Sequence, residues 1–165
     1  MFQSKKPIQL LVVDIDGTIA DIRFRAKKAG SCPSRRNRRA FQIWLDRLQP
    51  AKSLLRDKPL YPVVSLVYTY VRHMHTEIVY LTGRAEKYRK ITELWLSQHK
   101  LLIGPVYMRA NDDWRSAAQY KQSVMKELCK RVSVSSAILV LDDDADGDCS
   151  HMYTKLGCVH LKVCV

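Results

Sequence analysis

The chain has 165 residues, 47% hydrophobic and 27% charged, proportions that fit one water-soluble globular domain (residues 1–165) with a substantial core. Its longest apolar runs, LLVV and AILVL, are too short to cross a bilayer, which argues against a membrane partner. The formal net charge of +12 favours an acidic partner.

At the N-terminus two lysines precede a short apolar stretch, a loose imitation of a secretory signal. No cleavage site follows and Asp14 cuts the run short, so a cytoplasmic protein is expected. Five cysteines (Cys32, Cys129, Cys149, Cys158 and Cys164), odd in number and without a CxxC pair, agree with reduced thiols in that compartment. IQLLVVDID (8–16) reads as a buried strand. A basic stretch follows: between Ile19 and Asp57 eleven Lys or Arg stand against three Asp. Within it, AFQIWLDRL places Phe41, Trp44, Leu45 and Leu48 on one helical face. YPVVSLVYTYVRHMH starts a second helix, with Pro62 in its first turn and Val63, Val67, Tyr70 and Met74 as the expected inner face. EIVYLTGR is a second buried strand, and AEKYRKITELWLSQHK an amphipathic helix with Tyr88, Ile91 and Trp95 on one side. GPVYMRA reads as a third strand. SAAQYKQSVMKELCKRV reads as a helix with Tyr120, Val124 and Leu128 inward, and SAILVLDDD as a fourth strand. SHMYTKLG is a short helix closed by Gly157, and VHLKVCV a fifth strand.

Strands separated by helices predict an α/β fold built on a doubly wound parallel sheet. Ligands of such sheets bind at the carboxyl ends of the strands. The polar segments DIDGT, TGR and DDD all fall at such ends. Asp14 and Asp16 are one residue apart, so extended backbone would aim them the same way. Two close carboxylates repel unless a cation or a shared proton intervenes. Oxygen-only ligands suit Mg²⁺, which binds one or two carboxylates together with a substrate phosphate. Gly17 lets backbone N–H groups approach a bound oxyanion, Thr18 adds a hydroxyl, and Thr82 and Gly83 repeat this from the second strand. Lys121 supplies a mobile positive charge from a helix. The set fits phosphoryl transfer through a carboxylate nucleophile, with a second carboxyl as acid and base.

These residues resemble the four motifs of the haloacid-dehalogenase (HAD) superfamily, matched by DIDGT, LTGR, Lys121 and LDDD over nearly the whole chain. The resemblance implies a HAD-type Rossmann-like core, with Asp14 as the nucleophile that forms an aspartyl-phosphate and Asp16 as general acid/base. It further implies Thr82 and Lys121 on the phosphoryl oxygens. Mg²⁺ is implied on Asp14, the Asp16 backbone carbonyl, and Asp142 or Asp143. The stretches LTGRAEKYRKITELWL, YMRANDDWRSAAQYK and LDDDADGDCSHMYTKLGCVHLKV are similar to the phosphatase domain of polynucleotide kinase/phosphatase and its free-standing phage-type relatives. Such domains remove 3′-phosphates from nucleic-acid ends, DNA or RNA, and the sequence leaves open whether a separate kinase or ligase works alongside.

One departure stands out: the family's fourth motif reads DDR, and Asp144 occupies the arginine's place. Arg84, Arg89, Arg109 or Arg115 could supply that charge. Residues 19–57 would form a small basic cap holding the nucleic-acid backbone, with Arg23 and Arg25 near enough to reach the phosphate. Other readings are a HAD phosphatase of mononucleotides or small phosphorylated metabolites, and a non-catalytic nucleic-acid-binding module. DDDADGD imitates a calcium loop through Asp142, Asp144, Asp146 and Gly147, but it follows a strand and has Tyr153 at the twelfth position. His73 and His75 point to different helix faces, and His151 and His160 lack ligand-spaced partners. Trp44 and Trp95 read as core; Trp114, inside polar NDDWR, is the tryptophan suited to base stacking.

Overall fold

The computed structural model describes residues 7–34, 36–74, 76–101, 103–145 and 147–164. In chain order, β1 (Ile8–Val13) leads into a short ribbon strand β2 (Ala20–Asp21). Three helices follow, α1 (Arg23–Ala29), α2 (Arg38–Leu48) and α3 (Ala51–Leu54), and then the ribbon's return strand β3 (Lys58–Pro59). The remainder is α4 (Tyr61–His73), β4 (Glu77–Ala85), α5 (Arg89–Gln98), β5 (Val106–Arg109), α6 (Ala117–Arg131), β6 (Ala137–Asp142), α7 (Cys149–Lys155) and β7 (Val159–Lys162).

All five strands expected from the apolar runs form. They make one sheet in the order β5-β4-β1-β6-β7, each neighbouring pair parallel. The chain winds outward from β1 through β4 to β5, then crosses by α6 to β6 on the other side of β1. That reversal brings the carboxyl ends of β1 and β6 together, with Val13 in register with Leu141. Both faces of β1 are covered, which is why its run is continuously apolar. Leu11 and Val13 pack with Val64, Val67, Trp95 and Leu96 from α4 and α5. Leu10 and Val12 pack with Tyr120, Met125, Leu128 and Met152 from α6 and α7. Each such buried aliphatic side chain contributes about 1.5–3 kcal/mol.

The helices follow the sequence reading with three corrections, the first in α5, whose buried residues are Thr92, Trp95 and Leu96 while Tyr88 precedes the helix and Ile91 is half-buried. The inner face of α4 is carried by Val64 and Val67, while Met74 lies beyond the helix end and is 59% exposed. A helix apolar on most sides has two stripes one residue apart, and spacing alone does not separate them. The basic stretch is also more ordered than its composition suggests. α2 forms as expected, Asn37 capping it by accepting from the Ala40 amide at 3.1 Å, but α1, α3 and the β2–β3 ribbon have no counterpart in the sequence pattern. α1 is short and charged, and its burial rests on long-range ion pairs that periodicity does not report. α6 begins with a capping box, Ser116 and Gln119 each bonding the other's backbone N–H. Gly157, at φ 76°, follows α7 as expected.

Candidate active site

The turn after β1 sets the site. The Asp14 amide donates to the Leu141 carbonyl at 2.9 Å, extending the β1–β6 ladder by one residue, so Asp14 leaves the sheet beside Asp142. The chain then folds sharply: the amides of Thr18, Ile19 and Ala20 converge on the Ile15 carbonyl at 3.3, 3.1 and 2.9 Å. The Gly17 N–H itself donates to the Ala20 carbonyl at 3.0 Å. Gly17 is required for its conformation: its φ is +82°, and a Cβ there would stand 2.1 Å from Asp143 Oδ2. Thr18 is fully buried; its hydroxyl donates to Asp14 Oδ2 at 3.4 Å and accepts from the Asp143 amide at 2.9 Å. It joins two loops instead of projecting into open space.

Lys121 is not the mobile charge expected from a helix surface. It is 5% exposed, with Nζ 3.1 Å from Asp14 Oδ1 and 2.7 Å from Asp142 Oδ2. Asp142 also accepts from the Tyr153 hydroxyl at 2.5 Å and the Asp144 amide at 2.8 Å. The His160 ring lies 5.1 Å from that of Tyr153. Oxygens of Asp14, Asp142 and Asp143 all lie within 4.8 Å of one another. Burial pushes the Asp14 carboxyl well above its ordinary value; Lys121 opposes the shift, and Asp142 and Asp143 add to it. Burial, reinforced by Asp142, pushes Asp143 up to about 6. Burial works against the Lys121 ammonium, but Asp14 and Asp142 outweigh it and hold Lys121 above its usual range. Three carboxylates against one ammonium leave surplus negative charge on an oxygen-only donor set, which fits a hard divalent cation such as Mg²⁺.

Asp16 lines the same cavity as Asp14, Asp142 and Asp143 but is held by a different set of partners. The chain turns after β1 instead of staying extended, and the Asp16 carboxylate meets two arginines. Arg84 approaches Oδ1 with Nε at 3.0 Å and Nη2 at 2.5 Å, and Arg25 Nη2 donates to the same oxygen. Arg25 also donates from Nε to Asp57 at 2.8 Å and from Nη1 to the Leu48 carbonyl at 3.0 Å. Arg84 Nη1 reaches Thr92 at 3.1 Å. Burial opposes the charge on Asp16, but Arg25 and Arg84 prevail and hold it well below the ordinary carboxylate range. Asp57 is pushed up to about 6 by burial, against the pull of Arg25. Arg25 and Arg84, expected to touch substrate, are 1% and 0% exposed. A guanidinium this deep is more useful for positioning Asp16. Asp57, which completes the network, carried no signal in the sequence.

The remaining predicted residues divide by location. Thr82 is fully buried and its hydroxyl accepts from the Arg84 amide at 3.2 Å. Arg109 donates to the Arg115 carbonyl at 3.2 Å and lies 5.8 Å over the Tyr120 ring. Arg115 and Arg23 are drawn instead into surface pairs with Asp113 and Asp21, each at 2.6 Å. Arg89 pairs with Glu86 and Glu93. Asp144 has φ 46° and accepts from the Cys149 amide at 2.7 Å and the Ser150 hydroxyl at 2.5 Å, closing the N-terminus of α7. Burial resists its charge, and the hydrogen bonds from Ser150 and Cys149 hold it below the usual value. An acidic residue there serves the helix. Asp146 of the imitation calcium loop, and His75, lie outside the described residues.

Above the carboxylates is a cavity of 310 Å³ with Asp14, Lys121, Asp142 and Asp143 on its polar side and Ile22, Phe41, Trp44 and Leu45 on its apolar side. Gly83 and Arg109 line it too, and Arg109 is the arginine among its described lining residues. A polar floor under an apolar wall accommodates an anionic group carried on a larger, partly apolar body. No helix among the described residues is long and apolar enough to cross a membrane.

A family model described as the polynucleotide kinase PNKP phosphatase domain matches residues 8–163. No curated protein matches the sequence. Among solved structures, a chain of the Pnkp1/Rnl/Hen1 RNA repair complex superposes with a TM-score of 0.69 at 17% identity over 99% of this chain. A chain of a second Pnkp1/Rnl/Hen1 complex gives 0.68 at 19% identity, also over 99%. This chain covers 44% and 48% of those two, less than half their length. A haloacid dehalogenase-like hydrolase from Streptococcus pneumoniae superposes with a TM-score of 0.64 at 13% identity, over 95% of this chain and 85% of that one. These likenesses establish the HAD-like α/β fold.

Proposed function

We propose that this chain, which belongs to the family of the polynucleotide kinase PNKP phosphatase domain, is a Mg²⁺-dependent phosphomonoesterase that removes 3′-phosphates from nucleic-acid ends. The observation that carries the reading is the placement of Asp14. It is buried beneath an apolar-walled cavity, 3.1 Å from Lys121 and grouped with Asp142 and Asp143. A nucleophilic carboxylate needs a cationic neighbour and exclusion of bulk water, and this position has both.

In the reaction, an Asp14 carboxylate oxygen attacks phosphorus and displaces the nucleic-acid 3′-oxygen, giving an aspartyl-phosphate. Asp16 protonates the departing oxygen, then takes a proton from the water that attacks the aspartyl-phosphate and releases inorganic phosphate. In the present conformer Arg25 and Arg84 keep Asp16 ionised, the form needed for the second half; the first half requires its carboxylate to leave them. Lys121 and Thr82 hold phosphoryl oxygens, joined from the cavity wall by Arg109, which takes the part of the arginine replaced by Asp144. Asp14, Asp142, Asp143 and the Asp16 main-chain carbonyl would hold Mg²⁺, which neutralises phosphate charge when bound. The helices between β2 and β3 act as the cap. Their surplus of arginine and lysine holds the backbone of a DNA or RNA strand, and the RNA-repair setting of the structural neighbours supports RNA. The cytoplasm is the proposed setting, with a separate kinase or ligase alongside.

Phosphate release with Mg²⁺ from a 3′-phosphorylated oligonucleotide, a 5′-phosphorylated one and mononucleotides tests the proposal. Preference for the 3′-phosphorylated oligonucleotide, weakening steeply with salt, is expected. Preference for mononucleotides would keep the chemistry and remove the nucleic-acid substrate.

A further inference from the structure

The cavity over Asp14 has neighbours on the side of Phe41 and Arg109. Beside it, between α2 and the loop after β5, lies a small pocket that shares Phe41, Gly83 and Arg109 with the cavity and is also lined by Trp114. Phe41 and Trp114 also bound a 430 Å³ recess together with Arg36 and Arg38. Phe41 is buried and forms the floor, whereas Trp114 is 43% exposed.

The loop is braced to present that ring. Asn111 accepts from the Lys87 amide at 2.7 Å, and the Asp113 amide donates to the Ala110 carbonyl at 3.1 Å. The Asp113 carboxylate in turn accepts from the amide and Nε of Arg115, each at 3.0 Å. Little conformational freedom is left to lose when a ligand stacks there. Arg36 and Arg38, both exposed, stand beside the ring. A flat aromatic face flanked by cations, sharing Phe41 with the cavity over Asp14, matches a single strand of nucleic acid: the π-face takes a base and the guanidiniums take phosphates.

We propose that Trp114 is a stacking platform for an unpaired base upstream of the terminal phosphate, with Arg36 and Arg38 holding the backbone on either side. This rests on the nucleic-acid reading above and sharpens it to single-stranded ends, because a base paired and stacked in a duplex has no free face for the indole.

The test is fluorescence anisotropy of a labelled single-stranded oligothymidylate bearing a 3′-phosphate, run in parallel with phosphate release. Trp114→Ala is expected to weaken binding about tenfold, and Trp114→Phe to restore most of it. In kinetics, Trp114→Ala lowers by a similar factor the ratio of kcat/KM for the oligonucleotide over that for a nucleoside 3′-phosphate. Arg36→Ala and Arg38→Ala each weaken binding and flatten its salt dependence. If Trp114→Ala fails to fold, Trp114→Leu, apolar but without a π-face, makes the same comparison. Equal binding by Trp114→Ala and wild type, or no binding of the oligonucleotide by wild type, overturns the platform. Phosphate release without any Trp114 effect leaves the phosphatase reading standing and removes the platform. Trp114-dependent binding without phosphate release does the reverse.

Discussion

Arg84 grips the Asp16 carboxylate with two nitrogens, Nε at 3.0 Å from Oδ1 and 3.2 Å from Oδ2, and Nη2 at 2.5 Å from Oδ1. The contact ties the end of β4 to the turn after β1, so one motif sets the orientation of a side chain in another. Removing the guanidinium leaves carboxylates without their buried partner. Arg84→Ala is therefore expected to cost about 3 kcal/mol, seen as a melting temperature lower by about 10 °C. Arg84→Lys keeps the charge and loses the fork. Its signature is kcat reduced about tenfold with KM nearly constant; unchanged kcat would show that Asp16 needs no such hold.

Asp14 gives the opposite balance of stability and activity. Its burial disfavours the charged carboxylate, and Lys121 retains Asp142 at 2.7 Å when Asp14 is neutralised. Asp14→Asn should abolish phosphate release while leaving the melting temperature equal or raised. Residual turnover well above background would remove Asp14 as nucleophile.

Tyr153 donates to Asp142 Oδ2 at 2.5 Å from within α7. Deleting the hydroxyl leaves a buried carboxylate oxygen with one donor fewer. Tyr153→Phe is expected to cost about 1–3 kcal/mol of stability and to raise the Mg²⁺ concentration for half-maximal activity about tenfold. A magnesium titration beside a thermal melt separates the two effects.

At Gly17 the expected result is severe for a single methyl. Alanine must adopt φ +82° and place its Cβ 2.1 Å from Asp143 Oδ2. The backbone strain alone costs about 1–2 kcal/mol, and Asp143 must move. Gly17→Ala should fold with a lower melting temperature and show weakened magnesium dependence; wild-type behaviour would mean that the turn rearranges freely.

Acid stability reports on Asp16. Its folded-state carboxyl lies below the ordinary 3.8, with burial opposing the charge and Arg25 and Arg84 prevailing. The unfolded chain therefore binds the proton more tightly than the folded one. The stabilisation is complete above about pH 4 and is lost as pH falls from there through the depressed folded value. The gap in melting temperature between wild type and Asp16→Asn should shrink as pH falls below about 4. A gap independent of pH would show that the two arginines do not hold the carboxylate.

The sequence by itself determined the α/β alternation, the five parallel strands and the gathering of DIDGT, TGR, Lys121 and DDD at one sheet edge. The reason is local: apolar runs such as Leu10–Val13 must be covered on both faces, and polar residues directly after them emerge at the strand ends. Only the tertiary structure decided what each charge does. Arg84 reaches Asp16 across 68 positions and Arg25 reaches Asp57 across 32, pairings that no local pattern encodes. Asp144 became a helix cap because the turn after β6 carries it to the first amides of α7. Lys121 became a fixed ion-pair partner because α6 buries it between Asp14 and Asp142. Residue type and spacing specify which groups arrive at an edge; burial and long-range charge pairing then select among the partners available there.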